Sequence, residues 1–166
     1  GRLSKQLESN GTISVTTYDT THHVLELAHY HDNNSNGLVD VNDSLVASFE
    51  YIVRADGNRT SAFETFADPD HPGEFVTQTF VWEYDNQDRL IIETYDGPGT
   101  EADYTDDYTF DLSGNRMTLV HTLTATSDAT LTAYAYEAND RRLMESADAA
   151  GSEKDTTTIY SWGHVL

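Results

Sequence analysis

The sequence predicts an all-β protein, a solenoid-like array of antiparallel β-hairpin repeats with a period of about 26 residues that forms a curved or spiralling sheet. Three observations predict it. Apolar and polar residues alternate with a period of two, as in Thr12 to Tyr18, whereas no long stretch carries a helical face. Turn signals recur along the chain at Asn10-Gly11, Asp56-Gly57, Gly97-Pro98-Gly99, Ser113-Gly114 and Ala150-Gly151. Finally, a pair of aromatics separated by one residue returns at a fixed interval, with the second ring at positions 84, 110, 136 and 162.

Taken in order, the alternation and the breakers between runs predict strands at Arg2–Glu8, Thr12–Tyr18, Val24–His31, Ser44–Arg54, Arg59–Phe66 and Glu74–Tyr84. They continue at Arg89–Tyr95, Tyr104–Asp111, Arg116–Ala125, Thr130–Tyr136, Arg141–Glu145 and Thr156–Trp162. The chain is rich in threonine and holds ten tyrosines, residues that suit a pleated, half-buried surface. Two strands per repeat, joined by tight turns, give consecutive antiparallel hairpins.

Each repeat opens on Trp82-Glu83-Tyr84, Tyr108-Thr109-Phe110, Tyr134-Ala135-Tyr136 or Tyr160-Ser161-Trp162. After the first three comes an acid (Asp85, Asp111 or Glu137), a polar turn, and an arginine (Arg89, Arg116 or Arg141). Earlier copies carry insertions: Tyr51-Ile52-Val53 with Gly57-Asn58-Arg59, and Thr16-Thr17-Tyr18-Asp19 with His22-His23-Val24. Equal spacing places equivalent residues in register, so Tyr84, Phe110, Tyr136 and Trp162 are expected to form a ladder worth ~0.5 to 1 kcal/mol per contact beyond burial. The acid and the arginine flank the turn and are expected to pair across it.

This outline resembles the YD repeat of RHS proteins, a family that includes bacterial polymorphic toxins, toxin-complex shell components and teneurins. The resemblance spans nearly all of residues 1–166 as a single array, with an inserted loop at 32–43, and is close at Tyr84 to Leu90, Phe110 to Met117 and Tyr136 to Leu143. Asp88 and Asp140 stand where the motif has Gly, and Trp162-Gly163 stands where it has Tyr-Asp. The self-cleavage signature of many RHS shells is absent, so autoproteolysis is not implied. The resemblance does imply a non-enzymatic, extracellular or cell-surface wall that encloses a toxin or presents an adhesive surface. Its partners would be flanking repeats of the same chain, other copies end to end, an enclosed toxin or a surface glycan. Gly1-Arg2-Leu3 reads as the tail of one motif and Tyr160 to Leu166 as the head of another, so the ends are expected to continue into further repeats or to associate as a filament.

Acids outnumber bases 29 to 9, a net charge of −20, which excludes a nucleic-acid surface because phosphate binding needs clustered Lys and Arg. Cysteine is absent, and with it disulfides, thiolate metal sites and cysteine nucleophiles. No run reaches the length of an apolar membrane span.

The sharpest local motif is the twelve-residue stretch Asp32 to Asp43. Oxygen-bearing side chains fall at Asp32, Asn34, Asn36, Asp40 and Asp43, with Gly37 at the sixth position and the Leu38 carbonyl at the seventh. Calcium takes six or more oxygens around one point, and a glycine at the sixth position permits the turn that gathers them. The spacing resembles an EF-hand or dockerin-type loop, expected to project from the repeat body and to hold calcium. The competing reading is an ordinary Asx-rich turn, since no amphipathic helix precedes Asp32. A calcium-dependent binding module, for carbohydrate or a cell surface, is therefore the alternative to the scaffold. Weaker candidates are a zinc pair at His29 and His31, completed by Asp32 or His22, and the carboxylate pairs Asp106/Asp107 and Asp68/Asp70. No catalytic set has a recognisable context, and the aromatics at the repeat period are better explained by packing than by sugar binding.

Overall fold

The computed structural model describes residues 4–100, 102–137 and 142–149, the last seven by backbone alone. The described residues are all β, with no helix, so none contains a helix long and apolar enough to cross a membrane. The chain divides into two compact units, Gly1–Val81 and Trp82–Leu166.

In the first unit β1 (Lys5–Leu7), β2 (Thr12–Tyr18), β3 (Val24–His31), β4 (Ser44–Val53), β5 (Arg59–Ala67) and β6 (Phe75–Tyr84, ending past the boundary) pair antiparallel in chain order. In the second, β7 (Leu90–Asp96), β8 (Tyr104–Phe110), β9 (Arg116–Leu123), β10 (Ala129–Tyr136) and β11 (Arg142–Ala149) do the same. Strand boundaries differ from the sequence expectation where turns take residues. Arg89 closes a turn instead of opening β7, because its carbonyl accepts from the Asp85 amide at 2.9 Å. β9 stops at Leu123, whose amide and carbonyl are engaged by Asp128 and Ser127, so Thr124 and Ala125 are not strand. The segments Gly1-Arg2-Leu3 and Thr156–Leu166, and the Trp162 step of the ladder with them, lie outside the described residues.

One local structure recurs where β2, β4, β6 and β8 end. In the turns at 19–23, 54–58, 85–89 and 111–115, the amide of the first residue donates to the carbonyl four residues on, at 3.0, 2.8, 2.9 and 2.9 Å. The amide of the fourth residue returns to the first carbonyl at 3.2, 2.9, 3.1 and 3.2 Å. This is the three-residue hairpin loop, a type I turn followed by a left-handed residue that forms a bulge. The left-handed position holds His22 (φ 75°), Gly57 (96°), Asp88 (59°) and Gly114 (93°). Registers shift by a bulge just before Tyr18, Val53, Phe110 and Tyr136. The β1–β2 turn at 8–12 has the same bonds, with Gly11 at φ 80°.

Few side chains are deeply buried. Among described apolar residues these are Ile13, Ala28, Ala47 and Ala62, while Ile52, Phe63, Phe75 and Val81 remain exposed. Two of the alanines are covered by large neighbours: the register sets Ala62 between Tyr51 and Phe80, and Ala47 between His29 and Phe66. Phe49 meets His29 and Phe66 edge-on, with centroids 6.2 and 5.6 Å apart. Such T-shaped contacts add to the burial of the rings, and here much of the packing lies within one face of the sheet.

The turn geometry makes a direct prediction. A Cβ at Gly114 would meet no atom within 4 Å, so Gly114→Ala carries only the left-handed backbone penalty and should lose ~1 to 2 kcal/mol in urea unfolding. Gly99 has equally open surroundings but no left-handed φ. Gly99→Ala should be neutral or slightly stabilising in the same assay.

Candidate functional site

The loop between β3 and β4 contains all six residues singled out as ligands. Asp32 at its base is 6% exposed, and its two carboxylate oxygens accept the Asn36 and Gly37 amides at 3.1 and 2.7 Å. Gly37 adopts φ 68°, the left-handed turn that its place in the twelve-residue pattern requires, and Ser35 adopts 57°. Asn34 Oδ1 accepts the Asn36 amide at 3.1 Å, and Asn36 Oδ1 accepts the Leu38 amide at 2.6 Å. The side-chain amides of Asn34 and Asn36 both donate to Asp40 Oδ2, at 3.0 and 2.8 Å. Asp43 accepts from the Asn33 and Asp40 amides at 3.2 and 2.8 Å.

Asp32, Asn34, Asn36, Asp40 and Asp43 thus close one network. Among the described residues no three His, Cys, Asp or Glu gather in metal-binding array, and the Asn34 and Asn36 amides occupy Asp40 Oδ2. The donors fit a hard cation in kind, since all are oxygens. A cation beside Asp40 would require both amides to turn their carbonyl oxygens inward, the other of the two orientations a side-chain amide can take. The loop does not simply project: Leu38 and Val39 border a hollow with Ser4, Lys5, Val15 and Tyr18, and Leu7 Cδ2 approaches Gly37.

Hydrogen bonds hold the turn acids in their charged form. Bonds from the Asn42 amide and from the Asn34 and Asn36 side chains lower the Asp40 pKa to about 2. At Asp19, partial desolvation acts upward but is outweighed by bonds from Thr21 and His23, and the pKa falls to about 2. Arg89 holds Asp85 below the usual carboxylate range, and Asn115 does so for Asp111. Arg89 also reaches beyond its own turn. Its Nε donates to Asp85 Oδ2 at 2.6 Å, its Nη1 donates to the Asp111 carbonyl at 3.1 Å, and its guanidinium lies 4.7 Å from the Phe110 centroid. Arg116 covers Tyr108 and Arg59 covers Tyr51, at 4.6 and 3.7 Å.

The other candidates separate. His29 Nδ1 is 2.9 Å from Ser14 Oγ, in the His29–Phe49 contact described above, a strand residue in ordinary surroundings. Asp68 caps its turn by accepting the Asp70 amide at 2.8 Å and pairing with His71. Asp106 and Asp107 are neighbours on β8 and so face opposite sides, which rules out joint action on one bond. What adjacency in sequence missed is the row across strands: Glu93 lies opposite Asp106, which lies opposite His121. Trp82 Nε1 and Tyr104 OH donate to Glu93, both at 2.8 Å, while Tyr108 OH and His121 Nδ1 engage Asp106 at 3.2 and 2.6 Å. Desolvation, the Asp106 charge and other nearby groups push the Tyr108 hydroxyl up to about 12. These groups hydrogen-bond one another across the strands.

The depressed acids set an acid limit. A carboxylate whose folded pKa lies below its unfolded value of about 3.9 contributes stability above that value and loses it as pH falls toward the folded pKa. Melting temperature should therefore hold from pH 7 to about 5 and fall steeply between about 4 and 2. Asp85→Asn and Asp111→Asn should each flatten that fall, because the titrating group is gone.

A scan against protein-family models finds no match, and no curated protein matches the sequence. The YD-repeat resemblance therefore rests on the residues of the chain itself.

Proposed function

We propose that this chain is a non-enzymatic structural segment of an extracellular or cell-surface RHS/YD-repeat scaffold, a wall that encloses a toxin or presents an adhesive surface. The observation that carries the reading is the recurrence of one turn at 19–23, 54–58, 85–89 and 111–115, with Arg89 joining its own turn to Phe110 and Asp111 of the next motif. A wall needs units that bury their faces against neighbours, and Arg89 links two of them. The finer claim, a solenoid with a 26-residue period, has a direct test. Deleting residues 85–110 joins Tyr84 to Asp111 and removes one full period, so the product should still unfold cooperatively as a β protein, with a lower melting temperature. Deleting residues 98–110 removes half a period, reverses every later strand and should abolish folding. Equal loss in both would reject the repeat.

A second reading, a calcium-dependent binding module, has support in the all-oxygen donor set of Asp32, Asn34, Asn36, Leu38, Asp40 and Asp43 around a left-handed Gly37. Calcium at a hundredfold excess over Kd should add ~2.7 kcal/mol of stability if it binds the folded state alone. The expected result is a melting temperature that calcium raises, a chelator reverses and Asp40→Asn abolishes. An unmoved melting temperature leaves the loop as an Asx-rich turn.

A further inference from the structure

The first unit carries a second row of opposed carboxylates, and unlike Glu93 and Asp106 its acids receive few hydrogen bonds. Across β2, β3, β4, β5 and β6 the register aligns Thr17, Glu26, Glu50, Phe63 and Thr79 on one face. Like charges directly opposite in an antiparallel pair repel. Among the described residues Glu26 receives only the Thr17 hydroxyl, at 3.2 Å, and nothing bonds to or pairs with the Glu50 carboxylate. The nearby arginines are engaged elsewhere: Arg54 with Asp56, Arg59 on the Tyr51 ring. Next to the acids, Ile52 is 65% exposed and Phe63 43%, and together with Glu26, Glu50, Thr17 and Ser61 they line a hollow in the sheet.

Elsewhere the chain completes this constellation itself. Arg89 lies on Phe110 while bonding Asp85, and Arg59 and Arg116 each cover a tyrosine. At Glu26, Glu50 and Phe63 the acids and the ring are present, and among the described residues no base bonds either acid. We infer that this hollow is a docking site for a basic polypeptide segment, in which an arginine flanked by apolar residues enters between Glu26 and Glu50. Its guanidinium would bond the two carboxylates and lie against the Phe63 ring, and its neighbours would cover Ile52 and Val81. A second copy of this chain is the poorer occupant, because at a net charge of −20 it brings further acids to a face already short of bases. The inference needs only strands β2 to β6 and stands apart from the scaffold reading.

The probe is acetyl-Leu-Arg-Leu-Arg-amide, titrated into the full chain at 150 mM salt beside the same peptide with citrulline for arginine. The arginine peptide should bind saturably and at least tenfold more tightly than the citrulline one. The double variant Glu26→Gln/Glu50→Gln should weaken binding at least tenfold and Phe63→Ser severalfold. Asp70→Asn/Glu74→Gln, which removes the same charge from the β5–β6 turn, should stay within twofold of the native chain. The double variant should also melt at a higher temperature than the native protein, since it relieves a repulsion. Equal weakening by both double variants would reduce the effect to net charge and overturn the proposal. So would a lower melting temperature for Glu26→Gln/Glu50→Gln, or a dimer of the chain that this variant strengthens.

Discussion

Every described hairpin of the kind that follows β1, β2, β4, β6 and β8 depends on one residue held in the left-handed region at the fourth turn position. That conformation lets the chain reverse within three loop residues while keeping the right-handed twist of the strands on either side. It also fixes the bulge and hence the face to which each following side chain points, because a slip of one residue would exchange the two faces. The acid at the first turn position supports the geometry from within. Asp19, Asp85 and Asp111 each accept the amide four residues on, so the charge that dominates the composition is employed in holding backbone.

The two rows of opposed acids show how the same backbone arrangement leads to different chemistry. Glu93 and Asp106 are surrounded by Trp82, Tyr104, Tyr108 and His121, and the repulsion between them becomes part of a hydrogen-bonded lattice. Among the described residues Glu26 has Thr17 alone and nothing bonds to Glu50. Local conflicts of this sort, in a chain otherwise consistent from propensity to pairing, mark the places where something other than folding set the sequence.

Much of the strand pattern was legible in the sequence because a single rule, alternation broken by Gly, Asn and Asp, determines it. β2 and β3 fall where alternation puts them, from Thr12 to Tyr18 and from Val24 to His31. Strand ends were less legible, since Arg89 and Thr124 carry ordinary β-compatible neighbours and only the hydrogen bonds of their turns remove them from the strands. The Asp32 to Asp43 loop was visible as a donor pattern, but that Asn34 and Asn36 turn their amides toward Asp40 depends on the loop closing upon itself. The rows of acids were invisible, because cross-strand partners are separated by 13 residues at Glu93 and Asp106 and by 24 at Glu26 and Glu50, and only register brings them together. Asp106 and Asp107, adjacent in the chain, face apart for the same reason.

Because each strand in a unit pairs with its neighbours in the chain, every pairing closes only the single loop between consecutive strands. Low sequence separation lowers the loop entropy to be overcome before a pairing gains stability, and it lets β structure, usually slow to fold, form quickly. A chain of this design can add strands one at a time as it leaves the ribosome, each new hairpin docking on a completed edge. Within a unit, the edge most recently made is the one with which the next stretch of the same polypeptide pairs.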